Sequence, residues 1–191
     1  MLFRSELDRR HVADNTLVVY VTDNGWIQDP KQPRYAAKSK QSPYDGGLRT
    51  PILLRWPGRI QAECSDDLAM SIDLVPTVLA AAGLAAGTER DSALPGIDLR
   101  DAVRRQARHA IQGACFTHNA VDLQNPAASL RWRWVIDSWH KLIVPDPVQQ
   151  PDDKVELYDL KNDPLETRNL ADSEPDRVQS MQRTLDAWWK P

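Results

Sequence analysis

Apolar residues along the chain come in short runs separated by turn residues. Leu17-Val18-Val19-Tyr20-Val21 is continuous rather than alternating, the pattern of a strand covered on both faces, and it favours the centre of a parallel α/β sheet. Leu2, Phe3 and Leu7 precede it at roughly helical spacing, and Asp23-Asn24-Gly25 ends it abruptly. Residues 51–56 predict a second short strand closed by Pro57-Gly58. Leu74, Val78, Leu79 and Ala82 give one apolar face to a helix with Asp73 as its N-cap and Gly83 at its C-terminal cap. A short charged helix is predicted over 101–110. The intervening stretch 26–47 holds Pro30, Pro33, Pro43 and the pair Gly46-Gly47, so it reads as a long loop with a functional or flexible role.

The texture changes near His109. Residues 110–116, 130–137, 141–144 and 155–160 are hairpin-length strand candidates, with Trp132 and Trp134 on one strand face. Val178, Met181, Leu185 and Trp188 place one apolar side on a closing helix over 174–188, with Trp188 as an expected anchor. The expected organisation is an α/β portion with a mostly parallel sheet over 1–110. An α+β subdomain with an antiparallel sheet and terminal helix follows over 111–191.

Composition narrows the functional classes. The net charge is −3 over 191 residues, which supplies no basic field to gather phosphates and argues against nucleic acid as partner. The apolar runs are far too short to span a bilayer. The first ten residues carry charges where an export signal needs an apolar core, although a complete protein could still be exported. Cys64 and Cys115 could form one bridge at most, which leaves the compartment undecided.

The chemistry concentrates in two places. Asp23 and Asn24 follow a buried strand, where α/β sheets bind ligands, and their side chains offer hard oxygen donors suited to calcium or magnesium. The same tripeptide with Gly25 is also a good turn. Lys38 and Lys40 precede Tyr44-Asp45-Gly46-Gly47-Leu48-Arg49. A lysine there can neutralise a tetrahedral anion beside a closely approaching backbone, or simply solvate a loop. His118, at a strand end entering a loop, is a candidate to face a substrate.

Taken in order, the runs Asn15 to Gly25, Lys40 to Pro51, Ser71 to Leu79 with Ala82-Gly83, and Glu156 to Leu160 with Asp163-Pro164, Glu166 and Asn169-Leu170-Ala171 resemble the sulfatase family of the alkaline-phosphatase-like superfamily. The resemblance implies the C-terminal part of such an enzyme, with a partial alkaline-phosphatase-like sandwich as its α/β portion. It implies that Asp23 and Asn24 coordinate a divalent cation, usually calcium. Lys40, four residues before Tyr44, would contact sulfate oxygens as the catalytic and substrate-binding lysine, and Asp73 would be a helix cap. His118 stands as a further substrate-binding candidate. The substrate would be a sulfated small molecule or carbohydrate.

The family nucleophile is a formylglycine made within a Cys/Ser-x-Pro/Ala-x-Arg signature. Cys64 is followed by Ser65-Asp66-Asp67 and Cys115 by Phe116-Thr117-His118, so neither cysteine fits, the signature is expected to be absent from this chain, and no residue here is assigned the role. The family's early strand with two aspartates also has no counterpart. The chain is therefore expected to give no turnover alone and to need a complementing N-terminal segment. Two other readings stand beside this one: phosphoester hydrolysis on the same scaffold, and a truncated product retained as a structural module without catalysis.

Overall fold

In the computed structural model, residues 2–25, 27, 29–84 and 94–191 are described; Trp26 and Gln28 of the long loop lie outside them. The elements in chain order are α1 (Leu2–Arg9), β1 (Val18–Val21), α2 (Asp45–Leu48), β2 (Ile52–Arg55), α3 (Leu74–Ala81), α4 (Ala102–Ala107), β3 (Ala110–Phe116), β4 (Leu130–Asp137), β5 (His140–Pro145), β6 (Glu156–Asp159) and α5 (Pro175–Trp188). They divide into two compact units, one of residues 1–22 and 51–109, the other of residues 23–50 and 110–191. The stretch 23–50, grouped by sequence with the first portion, thus packs within the second unit.

In the first unit β1 pairs antiparallel with β2, from Val18 opposite Arg55 to Val21 opposite Ile52. Parallel pairing was the expectation from an unalternating run. The two strands form a two-stranded ribbon, and Tyr20, Val21 and Leu53 remain exposed. Helix α3 closes as its sequence predicts. Gly83 takes φ +73°, and the Gly83 and Leu84 amides bond the carbonyls of Ala80 and Leu79 at 3.2 and 2.9 Å, a Schellman ending that a left-handed glycine permits.

Asp73 precedes that helix, where the sequence expects a side-chain N-cap, but its carboxylate is engaged elsewhere. Its carboxylate is fully buried and accepts the amides of Met70 and Ile97 at 2.7 and 2.9 Å. It also accepts a two-pronged contact from the Arg108 guanidinium at 2.6 and 2.8 Å. No α3 amide is capped by it. One carboxylate therefore ties together the start of α3, the segment around Ile97 and the residue after α4.

The second unit is built on the antiparallel sheet β3-β4-β5-β6. Val135, Leu142, Val144 and Leu157 lie on one face and bury Met181 and Leu185 of α5. Trp188, the expected anchor, is 46% exposed; it ends the helix, and its indole meets Trp189 edge-on at 6.1 Å. The opposite face follows from the register, which sets Trp134 opposite Ile143 and Gly113, and Lys141 opposite Ile136 and Tyr158. A Cβ on Gly113 would stand 2.4 Å from the Trp134 ring, so glycine there makes room for the indole. This second face, carrying Lys141, Glu156 and Tyr158, receives the stretch 23–50.

Candidate functional site

Lys141 is completely buried in β5, and its ammonium lies 2.8 Å from Asp45 Oδ1 and 2.9 Å from Glu166 Oε1. The hydrogen bond is aimed at Asp45; the approach to Glu166 is an ion pair. Glu166 Oε2 accepts the Asp45 amide at 2.8 Å. Two carboxylates share one buried ammonium, and burial raises the Glu166 carboxyl above its ordinary range against the opposing pull of Lys141.

Beside this cluster, Tyr44 and Tyr158 both donate their hydroxyls to Glu156 Oε2, at 2.7 and 2.9 Å. Burial and that carboxylate push both phenols far above their usual range. The Lys38 ammonium stands 4.5 and 4.9 Å from the two ring centres and donates to the Glu166 carbonyl and to the Tyr158 hydroxyl. Lys38 is thus occupied as a cation held between aromatic faces.

The turn carrying these groups sits directly against the Asp23-Asn24-Gly25 segment. The Gly25 amide donates to the Gly47 carbonyl at 2.8 Å, and the Ile27 amide to the buried Ser39 hydroxyl at 2.6 Å. A Cβ on Gly25 would lie 2.2 Å from the Gly46 oxygen, one on Gly46 2.4 Å from the Lys38 oxygen, and one on Gly47 2.3 Å from the Ser39 oxygen. Only hydrogen fits at these three contacts. Backbone contact thereby joins the segment of Asp23 and Asn24 to the one that carries Lys40.

Asp23 is exposed and Asn24 half-buried. Asp23 Oδ1 accepts the Asn24 amide at 3.0 Å, and Asn24 Nδ2 donates to the Gly25 carbonyl at 3.0 Å, so the tripeptide does form the turn its letters allow. The Asn24 amide nitrogen is turned to its own backbone. A carboxylate and a carboxamide oxygen remain the donor types a hard cation takes, and they suit calcium or magnesium better than a softer metal. Among the described residues no group of three or more His, Cys, Asp or Glu side chains gathers to hold a metal, so these two would supply part of a coordination shell.

Lys40 is half-buried, its ammonium 5.4 Å from the Tyr35 ring centre. His118 is exposed in the loop after β3, and none of the contacts joining residues 23–27 to 38–47 includes it. Burial pushes the Cys115 thiol up to about 11, which suppresses the thiolate a nucleophile needs. One run has the serine form of the modification signature and was missed by sequence: Ser173-Glu174-Pro175-Asp176-Arg177. It is the start of α5. Ser173 donates its hydroxyl to Leu170 O at 3.0 Å, Pro175 is the first helical residue, and Arg177 pairs with Glu174 at 2.6 Å. Proline at that position and an acid–base pair one turn apart are helix-start chemistry. Sequence also missed Lys141 and named Glu166 only as part of the family resemblance, because a lysine inside an apolar strand gives no sign of which acids it will meet.

Residues 35–188 match the family N-sulphoglucosamine sulphohydrolase, C-terminal. A sulfatase of Formosa agariphila is 27% identical over 188 residues, covering 93% of this chain and 33% of that protein. N-acetylgalactosamine-6-sulfatase of Homo sapiens is 40% identical over 95 residues, covering 47% of this chain and 18% of that protein. A solved protein in complex with its substrate D-glucosamine-2-N,6-O-disulfate superposes with a TM-score of 0.73 at 22% identity, over 97% of this chain and 36% of that one. The chain belongs to the sulfatase family and corresponds to its C-terminal portion. The alkaline-phosphatase-like fold expected from the sequence agrees with these neighbours, as do the antiparallel sheet and terminal helix. The chain spans about a third or less of the length of these relatives.

Proposed function

We propose that these residues supply part of the cation and sulfate-binding machinery of a sulfuric-ester hydrolase acting on a sulfated carbohydrate. Asp23 and Asn24 would donate oxygens to a divalent cation, calcium in the complete enzyme. Lys40 would set its ammonium against sulfate oxygens, and His118 would meet the substrate from the loop after β3. The observation that supports this is the 2.8 Å bond between the Gly25 amide and the Gly47 carbonyl, because it holds the two candidate segments against each other. The substrate class follows from the human relative, whose name denotes a sulfated amino sugar.

In this reading the bound cation supplies Lewis-acid polarisation of the sulfate. The chain's own residues act by charge and position. Lys40 offsets negative charge on the non-bridging oxygens, an interaction that counts most where the charge grows. The Asp23 carboxylate anchors the cation, and the Asn24 carboxamide fixes its place without adding charge. No residue of this chain is assigned as the nucleophile, so bond cleavage would require a segment bearing formylglycine.

The test combines binding with turnover. Titrating calcium into the 191-residue chain should move the amide resonances of Asp23, Asn24 and Gly25, weakly and saturably, and Asp23→Ala should abolish that movement. Aryl sulfate should not be hydrolysed by the chain alone. Addition of an N-terminal sulfatase segment carrying formylglycine should restore hydrolysis, and Lys40→Ala should lower it. Turnover by the pure chain, or a calcium response indifferent to Asp23→Ala, overturns the reading.

A further inference from the structure

The segment carrying Lys40 is fastened at both ends to one residue. Glu166 accepts Lys38 through its carbonyl and the Asp45 amide through its carboxylate, so positions 38 and 45 bracket a loop that closes on a single side chain and its backbone. Lys141 then ties Asp45 and Glu166 to β5. Resting on the reading of Asp23, Asn24 and Lys40 as cation and sulfate ligands, we propose that Asp45, Lys141 and Glu166 are positioning residues that set the register of the 38–47 loop and, through Gly47, of Asp23 to Gly25.

Three observations carry this. A buried cluster of charges is a poor source of stability, since apolar side chains of equal volume often do as well or better, and its best-attested use is to select one arrangement among several. Lys38, Gln41 and Glu166 hold φ of +58°, +67° and +53°, left-handed backbone that is unfavourable for side-chain-bearing residues and persists only where the surroundings enforce it. Finally, the packing has no slack: a Cβ on Gly25 would lie 2.2 Å from the Gly46 oxygen, and within the loop a Cβ on Gly46 or Gly47 would lie 2.4 or 2.3 Å from the oxygen of Lys38 or Ser39. A displacement of Asp45 must therefore move Gly46 and Gly47, and with them the partner of the Gly25 amide.

The experiment is native-state hydrogen exchange on the 191-residue chain, comparing the Gly25 amide with that of Leu142 in the sheet core. In Lys141→Met, protection of Gly25 should fall about tenfold more than that of Leu142, and the calcium-induced shift at Asp23 to Gly25 should weaken. Should Lys141→Met fail to fold, the charge-free combination Asp45→Asn, Lys141→Met and Glu166→Gln keeps the volumes while removing every charge. It should fold with Leu142 protected and Gly25 exposed to exchange. Equal loss at both amides, or none at Gly25, in whichever variant folds would show a mere core stabiliser and overturn the proposal. A wild-type chain that gives no calcium shift would remove the cation reading alone, because the exchange ratio decides the clamp independently.

Discussion

The two units solve the same problem of apolar strands in different ways. In the second, the strands β4 and β5 sit between α5 on one face and the stretch 23–50 on the other, and their central residues are fully buried. In the first, β1 and β2 make a ribbon whose Tyr20 and Leu53 are 54% and 57% exposed, and Val75 and Val78 of α3 are exposed as well. That unit is joined by charge. Arg108 grips buried Asp73, and Arg105 reaches Glu63 and Asp67 at 2.5 and 3.1 Å. The second unit rests on a continuous apolar core removed from water, whereas the first adds to a few buried apolar residues such as Trp56 and Leu99 the directed contacts of two arginines with three carboxylates.

The largest effect should come from breaking the first unit's centre. Arg108→Met leaves the Asp73 carboxylate buried without its cation, and removing one member of such a pair costs about 3 to 5 kcal/mol. Urea unfolding should show that loss in a transition assigned to the first unit, with the β4–β5 amides keeping their exchange protection. Parallel loss in both units would mean that they unfold as one and would erase the contrast. Next in size, Leu185→Ala opens a cavity in the second unit's core and should cost about 2 to 4 kcal/mol. Trp188→Ala, at an exposed helix end, should cost clearly less, and an equal loss would restore Trp188 as the anchor.

The difference between the units also explains what could be read from the sequence. Period-3.6 spacing located α3 and α5, and short apolar runs bounded by turn residues located β1 to β6, because local patterns record which side of an element meets a core. The direction of β1's partner was not local information. The run 17–21 carries the composition of a covered strand, and nothing in it distinguishes a parallel neighbour from the antiparallel β2. The exposed end of α5 was illegible for a similar reason: the spacing that puts Trp188 in phase with Leu185 cannot say where the sheet beneath stops. In the candidate site, the letters of Asp23, Asn24 and Lys40 were conspicuous. The groups that hold their segments were not, since Lys141 and Glu166 lie 96 and 121 residues from Asp45.

A smaller, pH-dependent effect probes the buried Asp45–Lys141–Glu166 cluster of the second unit. The Glu166 carboxyl is faced by Lys141 from β5 and by Asp45 from α2, with Lys38 on its carbonyl and Tyr158 nearby on β6. Its raised folded value means that the folded state binds the proton more tightly than the unfolded chain. The associated stability is complete below the unfolded carboxyl value and is lost as pH rises through the folded one. Glu166→Gln removes this titration, so the stability of the variant relative to wild type should rise as pH increases from the ordinary carboxyl range upward. Taking the difference between the two proteins cancels the opposite trend of Glu6, Asp67 and Asp98, whose lowered values give stability that is lost toward acid. A difference flat across that range would mean that Glu166 ionises as freely in the fold as in the unfolded chain.

The smallest effect should lie on the exposed ribbon of the first unit. Leu53 projects from β2 with more than half its surface in water, and its cross-strand neighbour Tyr20 is equally exposed. Leu53→Thr exchanges one strand-compatible side chain for another and removes little area that folding had buried. Stability should change by no more than about 0.5 kcal/mol, the usual range for surface positions without a special contact. Self-association should fall at the same time, because the substitution interrupts the exposed apolar pair of Tyr20 and Leu53 on one face of the ribbon. Urea unfolding and sedimentation of the same preparation read the two quantities separately. A destabilisation of several kcal/mol would place Leu53 in a packed core and remove the contrast between the units at its most visible point.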